Sequence, residues 1–115
     1  MVSCITGINI EEGIKHTGHS ATLYIRFLKR FPADPSIFAL KKALDSDNME
    51  DAYRHAHTLK GLTEQLCITA LSTPSSTLCE LLRQKDPTVI SIAKAHLLDM
   101  LSVYNEIIAQ INLLP

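Results

Sequence analysis

The chain has 115 residues, 46 % of them hydrophobic, with a formal net charge of -1 and a pI near 6.5. That length suits a single domain, residues 1–115, with one packed core that needs no staples. The near-neutral balance lacks the basic excess that binding a nucleic-acid backbone requires, so nucleic acid is not an expected partner.

No basic segment followed by an apolar run opens the chain, and no stretch approaches the ~18 apolar residues of a membrane span, so a domain that stays in water without membrane contact is expected. Cys4, Cys67 and Cys79 are odd in number and show no CxxC spacing, which points to reduced thiols in a cytoplasmic setting.

Asn9, followed three residues later by Glu12, reads as a capping box that opens a short first helix, closed near Gly18. Ser20 starts the next helix. There Tyr24, Phe27, Leu28 and Phe31 fall on one stripe while Arg26, Lys29 and Arg30 fall elsewhere, and Pro32 ends it. Asp34 and Pro35 form an N-cap and first-turn pair ahead of Ile37, Leu40 and Leu44. The stretch from Asp45 to Asn48 breaks that helix. Asp47 and Glu50 suggest a second capping box, and the helix they open runs to about Leu66 with Ala52, Ala56, Leu59, Thr63 and Leu66 along one side.

After Cys67 the apolar pattern resumes with Leu71, Leu78, Leu81 and Leu82. Pro74 is placed in the first turn of this helix because it has no N–H to donate, and the residues from Ser72 to Ser76 read as capping material. Asp86 and Pro87 start a long last helix carrying Ala93, Leu97, Met100, Tyr104, Ile107 and Ile111. No strand pattern interrupts these helices. The expected fold is all-α, an up-down antiparallel four-helix bundle with short additional N-terminal helices.

The central helix carries the run Ala56-His57-Thr58-Leu59-Lys60-Gly61. If Ala56, Leu59 and Thr63 face the core, then His57, Lys60, Gly61 and Glu64 share the outer face, because residues three and four apart are neighbours on a helix. Glycine in mid-helix costs ~1 kcal/mol against alanine and so calls for a reason, such as the close approach of a partner. Arg54 and Lys60 bracket His57 with positive charge, which suits a phosphoryl group bearing nearly two negative charges. Imidazole fits the carrier's part because one nitrogen is nucleophilic near neutral pH while the other can be held by a hydrogen bond.

These residues resemble the histidine-containing phosphotransfer domains, whose signature is a histidine, a variable residue, an apolar residue and then Lys-Gly. The likeness extends over most of the chain: Gly7-Ile8 with Glu11, Glu12 and Gly13, then Tyr24, Leu28 and Phe31, resemble the family's lead-in helices. Leu71 and the stretch from Leu78 to Leu82 resemble its following helix. The resemblance implies that His57 is phosphorylated, that Lys60 stabilises the phosphoryl group and that Gly61 gives the partner access, with Arg54 as electrostatic support. It implies a phosphorelay intermediate that takes the phosphoryl from a receiver-domain aspartyl phosphate and passes it to another receiver domain. The partners would be response-regulator receiver domains and a hybrid sensor histidine kinase, with the chain itself monomeric.

No intrinsic cofactor is expected; Mg2+ would be supplied by the receiver domain. The chain would be a carrier without autonomous kinase or phosphatase activity, in keeping with the absence of a Gly-rich phosphate loop or carboxylate metal cage in the sequence. Two positions depart from the family pattern: Glu64 and Gln65 stand where small residues are usual, and Cys67 where a glycine is usual. Glu64 either pairs with Lys60 or repels phosphate, and the second case gives a degenerate docking or inhibitory bundle without transfer.

The remaining polar residues have plainer readings. His55 lies about 200° round the helix from His57 and is expected on the surface, His16 and His19 belong to the turn around Gly18, and His96 to the outer side of the last helix. The stripes of Tyr24, Phe27 and Phe31 and of Tyr104 are expected in the core, and Cys67 and Cys79 to pack as small apolar groups. No residue is assigned as the hydrogen-bond partner of the His57 imidazole.

Overall fold

Side chains placed just ahead of the apolar stripes set where the helices begin. Asn9 Oδ1 accepts the Glu12 N–H and opens α1, Ile10–His16; Ser20 Oγ accepts the Leu23 N–H and opens α2, Ala21–Arg30. Each such cap contributes about 1 kcal/mol. A 3-10 turn, Phe31–Ala33, holds Pro32 and leads to α3, Ser36–Asp45. Then come α4, Met49–Gln65, and α5, Thr69–Arg83, followed by a second 3-10 turn, Pro87–Val89, and α6, Ile90–Asn112. This is the regular structure of residues 7–114, the part of the chain described by the computed structural model; Cys4 lies outside it. The protein is all-helical, and among the described residues no helix is long and apolar enough to cross a membrane.

The apolar stripes all turn inward. Tyr24, Leu28 and Phe31, then Ile37, Leu40 and Leu44, then Ala52, Ala56 and Leu59, then Leu71, Leu78 and Leu82, and finally the stripe from Ala93 to Ile111 are buried in one cluster. α4 packs against α3 and α5, α6 packs against α5 and α3, and α2 with the turn after it lies against α6. Phe27 departs from its stripe: it is only half-buried, with Arg30 over its ring.

The N-terminal segment is lashed to the turn between α4 and α5. The Asn9 N–H donates to Cys67 O at 2.8 Å, the Ala70 N–H donates to Gly7 O at 3.0 Å, and the buried Tyr24 hydroxyl donates to Leu66 O at 2.7 Å. Gly13 makes this possible, since a Cβ there would lie 2.2 Å from Cε1 of the Tyr24 ring. His16, expected to belong only to the turn at Gly18, is the last residue of α1, and its Nδ1 lies 3.1 Å from Gln65 O. It joins α1 to the end of α4.

Several boundaries differ from the sequence reading, each for a local reason. The cap of α4 is Asn48, whose Oδ1 accepts the Asp51 N–H, while Asp47 lies one residue earlier in the left-handed region at φ 54°. Asp34 does accept the Ser36 N–H at 2.8 Å, but α3 starts after Pro35 instead of at it. Pro74 is inside α5, not in its first turn, and Ser72 to Ser76 form helix interior instead of a cap. Ser75 is fully buried, and among the described residues its hydroxyl has no hydrogen-bond partner. His96 faces α5, with Nε2 3.0 Å from Pro74 O, and does not point outward.

The helix stops share a geometry that the sequence hides. α3, α4 and α5 end with Asp47, Cys67 and Lys85 in the left-handed region, at φ 54°, 56° and 53°. In the first two, paired bonds close the end: Asn48 N–H to Ala43 O with Asp47 N–H to Leu44 O, and Ile68 N–H to Thr63 O with Cys67 N–H to Glu64 O. This is the arrangement in which glycine is the usual residue.

Candidate functional site

α4 is two-faced. Ala52, Ala56, Leu59 and Thr63 are buried, and Thr63 avoids the cost of an unpaired hydroxyl by donating to Leu59 O at 2.9 Å. His57, Thr58, Gly61 and Glu64 are exposed on the other side. The histidine and the glycine therefore lie one turn apart on one open face.

The His57 ring sits beside Tyr53, one turn earlier, with centroids 6.0 Å apart and planes at 47°. Tyr53 acts on α5 as well: its hydroxyl, with Glu80, pushes the Arg83 guanidinium further up from its ordinary pKa. Among the described residues no group hydrogen-bonds the His57 imidazole. Both ring nitrogens are thus open to an incoming group.

Gly61 leaves real space. A Cβ built on it meets no atom of the described residues within 4 Å, so no contact among them requires glycine there. Lys60 is less open than its neighbours, its side chain 28 % exposed, and its Nζ lies 4.0 Å from Glu64 Oε1. That contact is at the limit of an ion pair and worth little in water. Arg54 is 69 % exposed and is held by Asp51, Nη2 to Oδ1, at 2.8 Å. The two cations that bracket His57 in the sequence are thus both engaged by carboxylates of their own helix.

On the N-terminal side of His57 an open groove of about 440 Å³ is lined by Glu50, Tyr53, Arg54, His57, Thr58 and Lys85. Lys60 and Gly61 do not line it. His57 thus stands between two surroundings: the groove toward the start of α4 and the end of α5, and the exposed position at Gly61. Tyr53 and Lys85 escaped the sequence reading. Tyr53 was one spacing away, at i-4 from His57, but Lys85 comes from another helix and no periodicity points to it.

The other candidates fall outside this site. His55 is half-buried and faces a separate recess lined by Lys42, Ser46, Asn48 and Asp51, so it is less exposed than expected. Cys67 and Cys79 are free and buried. Burial pushes both thiols up, at Cys67 with help from the Glu12 carboxylate, so neither is an activated thiolate. Among the described residues no three His, Cys, Asp or Glu side chains converge as a metal site would require. No model of a known protein family, no curated protein and no solved structure matches the chain.

Proposed function

We propose that the chain is a histidine phosphotransfer module of a two-component phosphorelay. In this reading His57 accepts a phosphoryl group from the aspartyl phosphate of a response-regulator receiver domain and passes it to another receiver domain. The N–P bond forms at an unprotonated ring nitrogen as the aspartyl P–O bond breaks, and the carboxylate leaves with the electron pair. The observation that carries the proposal is an exposed imidazole, without a hydrogen-bond partner among the described residues, one turn from a helical glycine whose Cβ would meet none of their atoms within 4 Å. A carrier needs both features, because its reactive atom must enter another protein's pocket.

The finer architecture of this reading is an up-down antiparallel four-helix bundle of α3 to α6, with α1 and α2 as short additional helices. Consecutive contacts between these four helices, closed by that of α3 with α6, support it, as do the short connections. Lys60 stabilises the phosphoryl, Gly61 admits the receiver, and Arg54 adds positive potential once it loosens from Asp51. Arg54 and Lys85 line the groove beside His57 and offer positive charge to a phosphoryl group, whereas Mg2+ would be held by the receiver domain's carboxylates. The chain acts as a cytoplasmic, monomeric carrier with no turnover of its own, and its partners are receiver domains, alone or within a hybrid sensor histidine kinase.

The contact of Glu64 with Lys60 favours a second reading, a degenerate docking or inhibitory module without transfer. Incubation with a panel of phosphorylated receiver domains in magnesium distinguishes the two. The carrier reading expects phosphate to leave a receiver and appear on this chain, with Glu64→Ala equal to or faster than the wild type. A folded wild type left unlabelled, with labelling of Glu64→Ala, would make the natural chain a docking module.

A further inference from the structure

The cations around His57 are not equivalent. Arg54 is bound to Asp51 at 2.8 Å, Lys60 has Glu64 at 4.0 Å, and Arg83 is held by Glu80 at 3.2 Å. Each keeps a carboxylate beside it, and that carboxylate repels an incoming phosphoryl group almost as strongly as the cation attracts it. Lys85 differs. It is exposed, it lines the same groove as His57, and among the described residues it forms no ion pair or side-chain hydrogen bond.

Its backbone is placed as well. Lys85 occupies the left-handed position that closes α5, where its N–H donates to Leu82 O at 3.2 Å. The root of the side chain is therefore fixed at the end of α5, facing the first half of α4. Among the described residues the groove's one carboxylate is Glu50, which is exposed and forms no ion pair with Lys85.

We propose that Lys85 is the cation that binds the phosphoryl group on His57, reaching it across the groove from the end of α5. This rests on the carrier reading above and adds to it a binding residue from a second helix. In this arrangement Lys60, with the Glu64 carboxylate 4.0 Å from its ammonium, contributes less than its place in the motif suggests. Lys85 is free to turn its ammonium to the phosphoryl oxygens, and binding it there requires no ion pair to break.

The test uses the intact chain and phosphoramidate, a small donor that phosphorylates imidazole with release of ammonia and needs no receiver domain. Labelling of His57 is followed in the wild type and in Lys85→Gln, Lys85→Gly, Lys85→Arg and Lys60→Gln. Lys85→Gly keeps the left-handed turn and so separates loss of charge from loss of fold. The expected result is labelling slowed roughly five-fold in Lys85→Gln and Lys85→Gly, the scale of one exposed charge pair. Lys85→Arg restores the rate, Lys60→Gln falls by less, and the salt dependence of the rate shrinks with the charge. Labelling of His57 at the wild-type rate in Lys85→Gln would overturn the role of Lys85 and leave the carrier reading intact. A wild type that neither phosphoramidate nor phosphorylated receiver domains label at His57 would overturn both.

Discussion

Gly61→Ala separates stability from function at the same position. Gly61 lies inside α4 with ordinary helical backbone, and a Cβ there would touch nothing within 4 Å. Alanine therefore adds no clash, and it removes the conformational freedom that glycine loses on folding. The gain is about 1 kcal/mol, the helix-propensity difference between the two residues. For a chain of this size that raises the melting temperature by about 4 °C. If the empty space serves a partner, the same methyl group slows transfer from a receiver domain while leaving labelling by a small phosphoryl donor unchanged. Calorimetric or circular-dichroism melts give the first quantity, and parallel transfer assays give the second. Equal or lower stability in the alanine variant would refute the account of the helix. Undiminished receiver-dependent transfer, even in Gly61→Leu, would refute the account of access.

Gly13→Ala should destabilise the fold by about 2 kcal/mol or more, since the new Cβ would lie 2.2 Å from the Tyr24 ring and one of the two helices must move; chemical denaturation measures it. Tyr24→Phe should cost about 1–2 kcal/mol by leaving the buried Leu66 carbonyl without the hydroxyl that reaches it at 2.7 Å. Burial, with the Cys67 thiol beside it, raises the Tyr24 phenol above its ordinary value of 10.0. The folded state then holds the phenolic proton more tightly than the unfolded chain does. Its contribution is complete below about pH 10 and is lost as the pH rises further, so wild-type stability should fall there more steeply than that of Tyr24→Phe. Lys85→Gly should stabilise the chain by about 0.5–1 kcal/mol in thermal melts, because it relieves a non-glycine residue at φ 53° without breaking an ion pair.

The parts of the fold legible in the sequence are those set by periodicity. The stripes of α4 and α6 are buried residue for residue, because spacing alone decides which side of a helix meets the core. Helix starts at Asn9 and Ser20 were legible because a single short polar side chain makes each cap. Helix stops were not. Asp47, Cys67 and Lys85 occupy positions where glycine is the usual signal, and without it nothing local marks the end. Asp47 shows the consequence: it was read as the cap of α4, whereas it closes α3 and leaves the cap to Asn48. Pro74 was misplaced for a different reason. A proline is costly inside a helix, but the core contacts of Leu71 and Leu78 on either side of it hold α5 together through the missing bond.

The candidate site divides in the same way. The exposure of His57 and Gly61 followed from the face opposite Ala56 and Leu59, and the structure places them there. The pairing of Arg54 with Asp51 was not anticipated, although the spacing of three would have allowed it. Lys85 was out of reach, since it comes to line the same groove as His57 only through the packing of α5 on α4. The Gly18 turn was the place read for His16, and the outer side of the last helix that for His96, for the same reason: their partners, Gln65 and Pro74, are carbonyls of other helices.

The central claim is that His57 carries a phosphoryl group, and the most direct measurement locates the label. The chain and its His57→Gln variant are incubated with a phosphorylated receiver domain in magnesium, and the acid and alkali lability of the transferred phosphate is followed alongside the mass of the peptide that bears it. The account predicts acid-labile, alkali-stable phosphate on the peptide containing His57, and none on the folded variant. Equal label on His57→Gln, or phosphate borne by another residue of the wild type, would contradict it.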